Sequence, residues 1–195
     1  LNPDLAPKPF ESGIAIPTYT GEGNEEFATS PKKTNPQRDL RMAIPIGVLP
    51  KKWQKIGDVV LFPEGSFAGR EDIDWQAVAA ALKVKRIGLQ ATIAEDSSRR
   101  SKAILLYGDE GEVKHYENGV CYVFDPFQVM FSPGNITERI RMGEIEAKDE
   151  IIVDAYAGIG YYTLPFLAKA GAAQVHACEM TKASIDGLGK GLTAN

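Results

Sequence analysis

The chain is poor in the residues from which disulfide and metal sites are built: 195 residues carry two cysteines and two histidines. Cys121 and Cys178 lie far apart in apolar segments, which predicts two reduced, buried thiols and neither a disulfide framework nor a metal centre. No apolar run approaches the roughly eighteen residues that cross a bilayer. The first residues, Leu-Asn-Pro-Asp-Leu-Ala-Pro, lack the basic start and apolar core of a signal peptide, so neither membrane nor secretion is expected and a cytosolic protein fits. An overall basic charge is also missing. The formal net charge is −4, which argues against the whole chain acting as a basic nucleic-acid binder.

That charge is unevenly distributed. Residues 1–30 carry −4, residues 31–102 carry +6 and residues 103–195 carry −6. The basic third holds Lys32, Lys33, Arg38 and Arg41, then Lys51, Lys52 and Lys55, then Lys83, Lys85 and Arg86, then Arg99, Arg100 and Lys102. Such clusters suit a solvated surface, or several phosphates if folding brings them to one face.

Residues 1–41 read as an extended or disordered leader, rich in proline and without lasting apolar periodicity. Residues 42–127 read as a small α+β module. Met42–Gly47 and Val59–Phe62 suggest strands with a basic turn holding Trp53 between them, and Asp74 stands at the N-cap of a helix to Lys83. Strands are predicted over 86–92, 103–107, 113–116 and 120–124, the last two joined at Asn118-Gly119, a strong hairpin signal. From 128 to 195 the pattern becomes that of a doubly wound α/β sheet. A strand turns at Pro133-Gly134 into a helix capped by Asn135, with Glu138 at the capping-box position. Strand 150–154, helix 161–170, strand 174–178 and helix 182–192 follow.

Between the strand ending at Asp154 and its helix lies Ala-Tyr-Ala-Gly-Ile-Gly-Tyr-Tyr-Thr. Gly158 and Gly160 let backbone approach a ligand closely and tolerate positive φ. Thr163 replaces the third glycine of the dinucleotide fingerprint, which disfavours a nicotinamide dehydrogenase. Glu179, nineteen residues after Gly160, ends the second strand where an acid accepts from a ribose diol. S-adenosylmethionine, with a ribose and no pyrophosphate, suits this pattern better than NAD.

The run Asp154–Leu167, followed by Ala-Gly-Ala-Ala-Gln-Val-His-Ala-Cys-Glu, closely resembles the tRNA wybutosine-synthesizing protein 2 family, aminocarboxypropyltransferases related to the tRNA guanine-N1 methyltransferases. The likeness extends through Leu49-Pro-Lys-Lys-Trp, Gly57-Asp-Val-Val-Leu, His115-Tyr-Glu-Asn-Gly and Met130-Phe-Ser-Pro-Gly-Asn-Ile-Thr-Glu-Arg, covering roughly residues 42–195. The sibling methyltransferases resemble Phe-Ala-Gly-Val-Gly-Pro-Phe at the turn and carry arginine after Ser-Pro. Tyr161-Tyr162 and Gly134-Asn135 stand there instead and favour the aminocarboxypropyl branch.

The resemblance implies a class I methyltransferase-like, Rossmann-like fold and S-adenosyl-L-methionine as cofactor. It implies that Ser132, Arg139 and Glu179 contact that cofactor, over a bed shaped by Gly158 and Gly160, with Asp154 of second rank. It also implies phenylalanine tRNA as partner, modified beside its anticodon. Arg139 replaces the family's usual lysine, and Met180-Thr181-Lys182 its Trp-Asn-Pro. No general base is nominated, because a sulfonium is already a good leaving group and positioning supplies most of the rate. The two histidines read as structural. A complete fold of this class has about five further strands, so the chain reads as the start of one. Guanine-N1 methyl transfer and a non-catalytic tRNA-binding module are the alternatives.

Overall fold

The computed structural model describes residues 8–10, 13–15, 35–45, 47–90 and 101–195. Contacts divide the chain into residues 1–39 and 40–195. In the first unit, β1 (Lys8–Phe10) and β2 (Gly13–Ala15) pair antiparallel, so this part of the expected leader is a short ladder. Helix α1 runs Pro36–Ala43, through the end of the expected leader to 41 and the start of the strand expected at 42–47, which is therefore not formed there. The signal lies just upstream: the Asn35 Oδ1 accepts from the amides of Gln37 and Arg38, and Pro36 occupies the first helical position, where it has no N–H to lose. Leu40 and Ile44, four apart, are buried together.

In residues 40–195 a four-stranded sheet has the order β3 (Gln54–Ile56), β4 (Val59–Phe62), β5 (Arg86–Leu89), β6 (Ile104–Tyr107). β3 lies in what read as a turn around Trp53. β4 and β5 are parallel, joined through α2 (Trp75–Leu82), whose predicted cap is present: Asp74 Oδ1 accepts from the Ala77 amide at 3.0 Å. The four buried residues of β4 divide by the period of two. Val60 and Phe62 face a cluster with Leu40, Ile44, Val78 and Leu82, while Val59 and Leu61 face a second cluster. Trp53 packs edge-on against Phe62 at 5.6 Å.

The second cluster joins both sides of position 127. It holds Val113, Val120, Tyr122 and Phe124 from the hairpin β7 (Val113–Glu117) and β8 (Val120–Phe124), together with Phe131, Ile159, Leu164 and Leu188. The hairpin turns at Asn118 and Gly119, both at positive φ, as the Asn-Gly pair predicts. Phe131 stacks on Phe124 at 5.3 Å and meets Tyr122 and His115 edge-on.

The expected strand over 128–132 is absent. Asp125 accepts from the Phe127 amide through its side chain and from the Gln128 and Val129 amides through its carbonyl, drawing the chain into a turn. A 3-10 turn at Pro133–Asn135 leads into α3 (Ile136–Glu144). Asn135 makes no side-chain cap bond, and Glu138 pairs instead with Arg141 at 2.9 Å, so the expected capping box is not formed.

β9 (Ile151–Asp154) and β10 (Gln174–Ala177) are parallel and joined through α4 (Thr163–Ala168), the expected βαβ unit. α5 (Lys182–Ala194) then packs along β8. Gly187 and Gly191, one turn apart, permit the approach: a Cβ on Gly187 would lie 3.1 Å from the Val123 carbonyl oxygen. At the helix end, the Asn195 amide accepts from the Cys121 N–H (2.9 Å) and donates to its C=O (2.8 Å), replacing a ladder partner on that edge. Cys121 and Cys178 are both free, but Cys178 is exposed, contrary to expectation, because β10 leaves it at the end of a two-stranded sheet.

Candidate cofactor site

A cavity of about 680 Å³ opens beyond the C-terminal ends of β9 and β10. Four of the six residues singled out from sequence line it: Ser132, Arg139, Gly158 and Glu179. They arrive from two directions. Ser132 precedes the 3-10 turn and Arg139 stands on α3, while Gly158 and Glu179 follow β9 and β10.

Glu179 is held by backbone. Its Oε1 accepts from the amides of Met180 (2.8 Å) and Thr181 (2.7 Å), and its Oε2 accepts from Gly158 (2.9 Å). Burial pushes the carboxyl up, yet the amides of Thr181, Met180 and Gly158 hold it below the usual carboxylate range. The Thr181 side chain adds a further hydrogen bond to the same carboxylate. The acid thus ties the glycine turn to the loop after β10 and faces the cavity fully ionised.

Arg139 is 3 % exposed. Its Nε and Nη2 donate to Glu117 Oε1 (2.5 Å) and Oε2 (2.9 Å), and Nη1 donates to the Ser132 carbonyl at 3.0 Å. The guanidinium lies 4.6 Å from the Phe131 ring centroid and 5.9 Å from that of Tyr161. Burial works against its charge, but the Glu117 bonds prevail and its pKa stays above the ordinary value. Beside the pair, His115 Nδ1 accepts from the Gly57 amide at 3.3 Å, which puts the ring proton on Nε2, 3.9 Å from Glu117 Oε2. Burial pushes His115 below its ordinary pKa, and the ring stays neutral. Tyr161 donates its hydroxyl to the Met130 carbonyl, fixing another wall; burial pushes that phenol up.

Asp154 and Gly160 do not line the cavity. Asp154 Oδ2 accepts from the amide (3.2 Å) and hydroxyl (2.7 Å) of Thr163, anchoring the start of α4. The residue in place of the third glycine is therefore the acid's partner. Gly160, at φ +90°, is buried against Leu164 and Leu188. Tyr156 and Met180, not among the expected site residues, also line the cavity, at 92 % and 82 % exposure, and Glu117, which the sequence marks only as the acid of His115-Tyr-Glu-Asn-Gly, holds Arg139. His176 is exposed on β10. Among the described residues, no helix is long and apolar enough to cross a membrane.

Comparison with known proteins fits this arrangement. The TYW2 N-terminal domain family matches residues 44–111, and the TRM5/TYW2 methyltransferase domain family matches residues 113–195. The tRNA wybutosine-synthesizing protein 2 homolog of Mus musculus is 45 % identical over 152 residues, which are 75 % of this chain and 34 % of the mouse protein. The chain therefore spans about a third of the length of the curated relatives it matches. Among solved structures, P. horikoshii TYW2 in complex with MeSAdo has a TM-score of 0.64 at 29 % identity, covering 83 % of this chain and 60 % of that one. M. jannaschii TYW2 in complex with AdoMet has a TM-score of 0.54 at 29 % identity, covering 73 % and 51 %. By these matches, running through both the small module and the glycine turn, the chain belongs to the TYW2 family, which is related to Trm5.

Proposed function

We propose that this chain forms the cofactor bed and substrate module of an S-adenosylmethionine-dependent transferase. The enzyme moves the 3-amino-3-carboxypropyl group onto the wyosine-type base beside the anticodon of phenylalanine tRNA. The observation that carries this is the convergence of Ser132 and Arg139 with Gly158 and Glu179 on one cavity, in a chain of the TYW2 family.

The cavity fits the cofactor. Its volume lies within the roughly 300–1,000 Å³ typical of small-molecule sites. The chemistry also matches: an ionised acid suits a ribose hydroxyl, and a guanidinium suits the carboxylate of a methionine chain. Bound there, S-adenosylmethionine supplies an electrophilic carbon and a neutral thioether leaving group. The chain's own residues orient it. Glu179 takes the ribose edge, Gly158 gives the backbone approach, and Arg139 with Ser132 holds the amino-acid end and so sets which carbon faces the acceptor base. Tyr156 and Met180 at the mouth leave an apolar rim for planar rings. No residue is needed as a general base. Two free thiols agree with a reducing, cytosolic setting.

The test supplies S-adenosylmethionine labelled in the carboxyl carbon or in the methyl group, together with phenylalanine tRNA carrying the precursor base. Carboxyl label in tRNA supports the proposal. Methyl label alone points to guanine-N1-type methylation, and tRNA binding without cofactor binding points to a non-catalytic module.

A further inference from the structure

Glu117 belongs to β7 and does not line the cavity, yet it governs Arg139, a buried cation that does. We propose that Glu117 is the positioning residue of the cofactor site: it locks the Arg139 guanidinium so that its unused donors meet the amino-acid carboxylate of the ligand. This rests on the cofactor reading above and extends it to a residue outside the glycine motif.

An arginine on a solvated surface samples many rotamers, and a guanidinium buried to 3 % exposure must find partners. Glu117 supplies two in a planar fork, at 2.5 and 2.9 Å, and the Ser132 carbonyl supplies a third at 3.0 Å. Arg139 has five N–H donors, so two remain, one on Nη1 and one on Nη2. The Phe131 ring at 4.6 Å closes one face of the guanidinium plane. Glu117 is fixed in turn by the Asn118-Gly119 turn, whose Asn118 carbonyl accepts from Lys169 Nζ at 2.8 Å. The β7–β8 hairpin thereby aims a donor pair at the cofactor site.

Two effects of Glu117 oppose each other. Its negative charge weakens the pull of Arg139 on an anionic group, whereas its fork fixes direction. A purely electrostatic role predicts that Glu117→Gln tightens a carboxylate-bearing ligand, and positioning predicts that it loosens it. Calorimetry on the 195-residue chain compares S-adenosylmethionine with methylthioadenosine, which lacks the amino-acid chain, for wild type, Glu117→Gln and Glu117→Asp, each checked by circular-dichroism melting. The ratio of the two affinities is the readout. It is expected to fall about tenfold or more in the Gln variant, the scale of one charged hydrogen bond. The Asp variant, which keeps the charge with a shorter reach, is expected to fall less. Methylthioadenosine binding is expected to change by no more than about twofold, a scale well below one hydrogen bond. An unchanged or raised ratio in every folded variant overturns the inference, as does equal weakening of both ligands. If the Gln variant does not fold, the Asp ratio decides. A wild-type chain that binds neither ligand overturns the cofactor reading itself.

Discussion

Replacing Gly160 by alanine separates two reasons for a glycine in this turn. A glycine kept for ligand approach would cost binding when replaced; one kept for packing would cost stability. Gly160 is buried at φ +90°, and a Cβ there would lie 2.7 Å from Leu188 Cδ1 and 2.8 Å from Leu164 Cγ. Carbon atoms prefer about 3.5–4.0 Å, so two core leucines must each yield close to 1 Å. Overpacking of this kind costs about 1–3 kcal/mol, and an L-residue held at such a φ costs about 1–3 kcal/mol more. A total of about 2–6 kcal/mol is a large share of the 5–15 kcal/mol typical of a domain, and lowers Tm by roughly 4–24 °C at this chain length. Thermal melts followed by circular dichroism measure it. Adding Leu188→Ala removes one obstructing atom, so the double variant should be more stable than the two single losses predict, by about 0.5–3 kcal/mol. A Gly160→Ala chain melting within about 1 °C of wild type, uncoupled to Leu188, would refute the packing account, since a clash of this size is worth several degrees.

Three other outcomes follow from the same contacts. Asn195→Ala removes both partners of the Cys121 backbone; it should cost about 1–3 kcal/mol, and hydrogen exchange at the Cys121 amide should accelerate, an unchanged rate counting against the edge-capping role. Glu179→Gln leaves one amide facing an NH2 group, and should weaken cofactor binding and lower stability. The folded pKa of Glu179 lies below the ordinary 4.5, so its stabilising effect is complete above that value and is lost as pH falls beneath it. The Tm gap between wild type and Glu179→Gln should therefore close in acid, and a gap constant with pH would contradict this. His115 has a folded pKa below 6.5, so the unfolded chain binds the proton first and stability declines as pH falls from 6.5. His115→Gln, which can still accept from the Gly57 amide, should flatten that decline in a melting series from pH 7 to acid.

The sequence by itself determined the local elements whose signals are short-range. Asn118-Gly119 specifies its hairpin because both residues accept positive φ, and Asp74 starts α2 because its carboxylate reaches an amide three residues on. The strand, glycine turn and helix from 151 to 168 are legible for the same reason, as is the acid at 179. The expected strand at Met42–Gly47 gives way to α1 because the Asn35-Pro36 start, seven residues before Met42, caps a helix that carries through Ala43. The strand at 128–132 failed because Asp125 bends the chain from outside the window. What only the tertiary structure decided is which polar groups meet. Asp154 turned to Thr163, so its charge serves the helix start, and Gly160 was spent on the packing of Leu164 and Leu188, contacts that join residues 4 and 28 positions away. Glu117 found Arg139 across 22 residues and a change of structural layer. A buried guanidinium must be paired, but no local pattern states with which acid, because that choice is made by the core that brings the hairpin against α3.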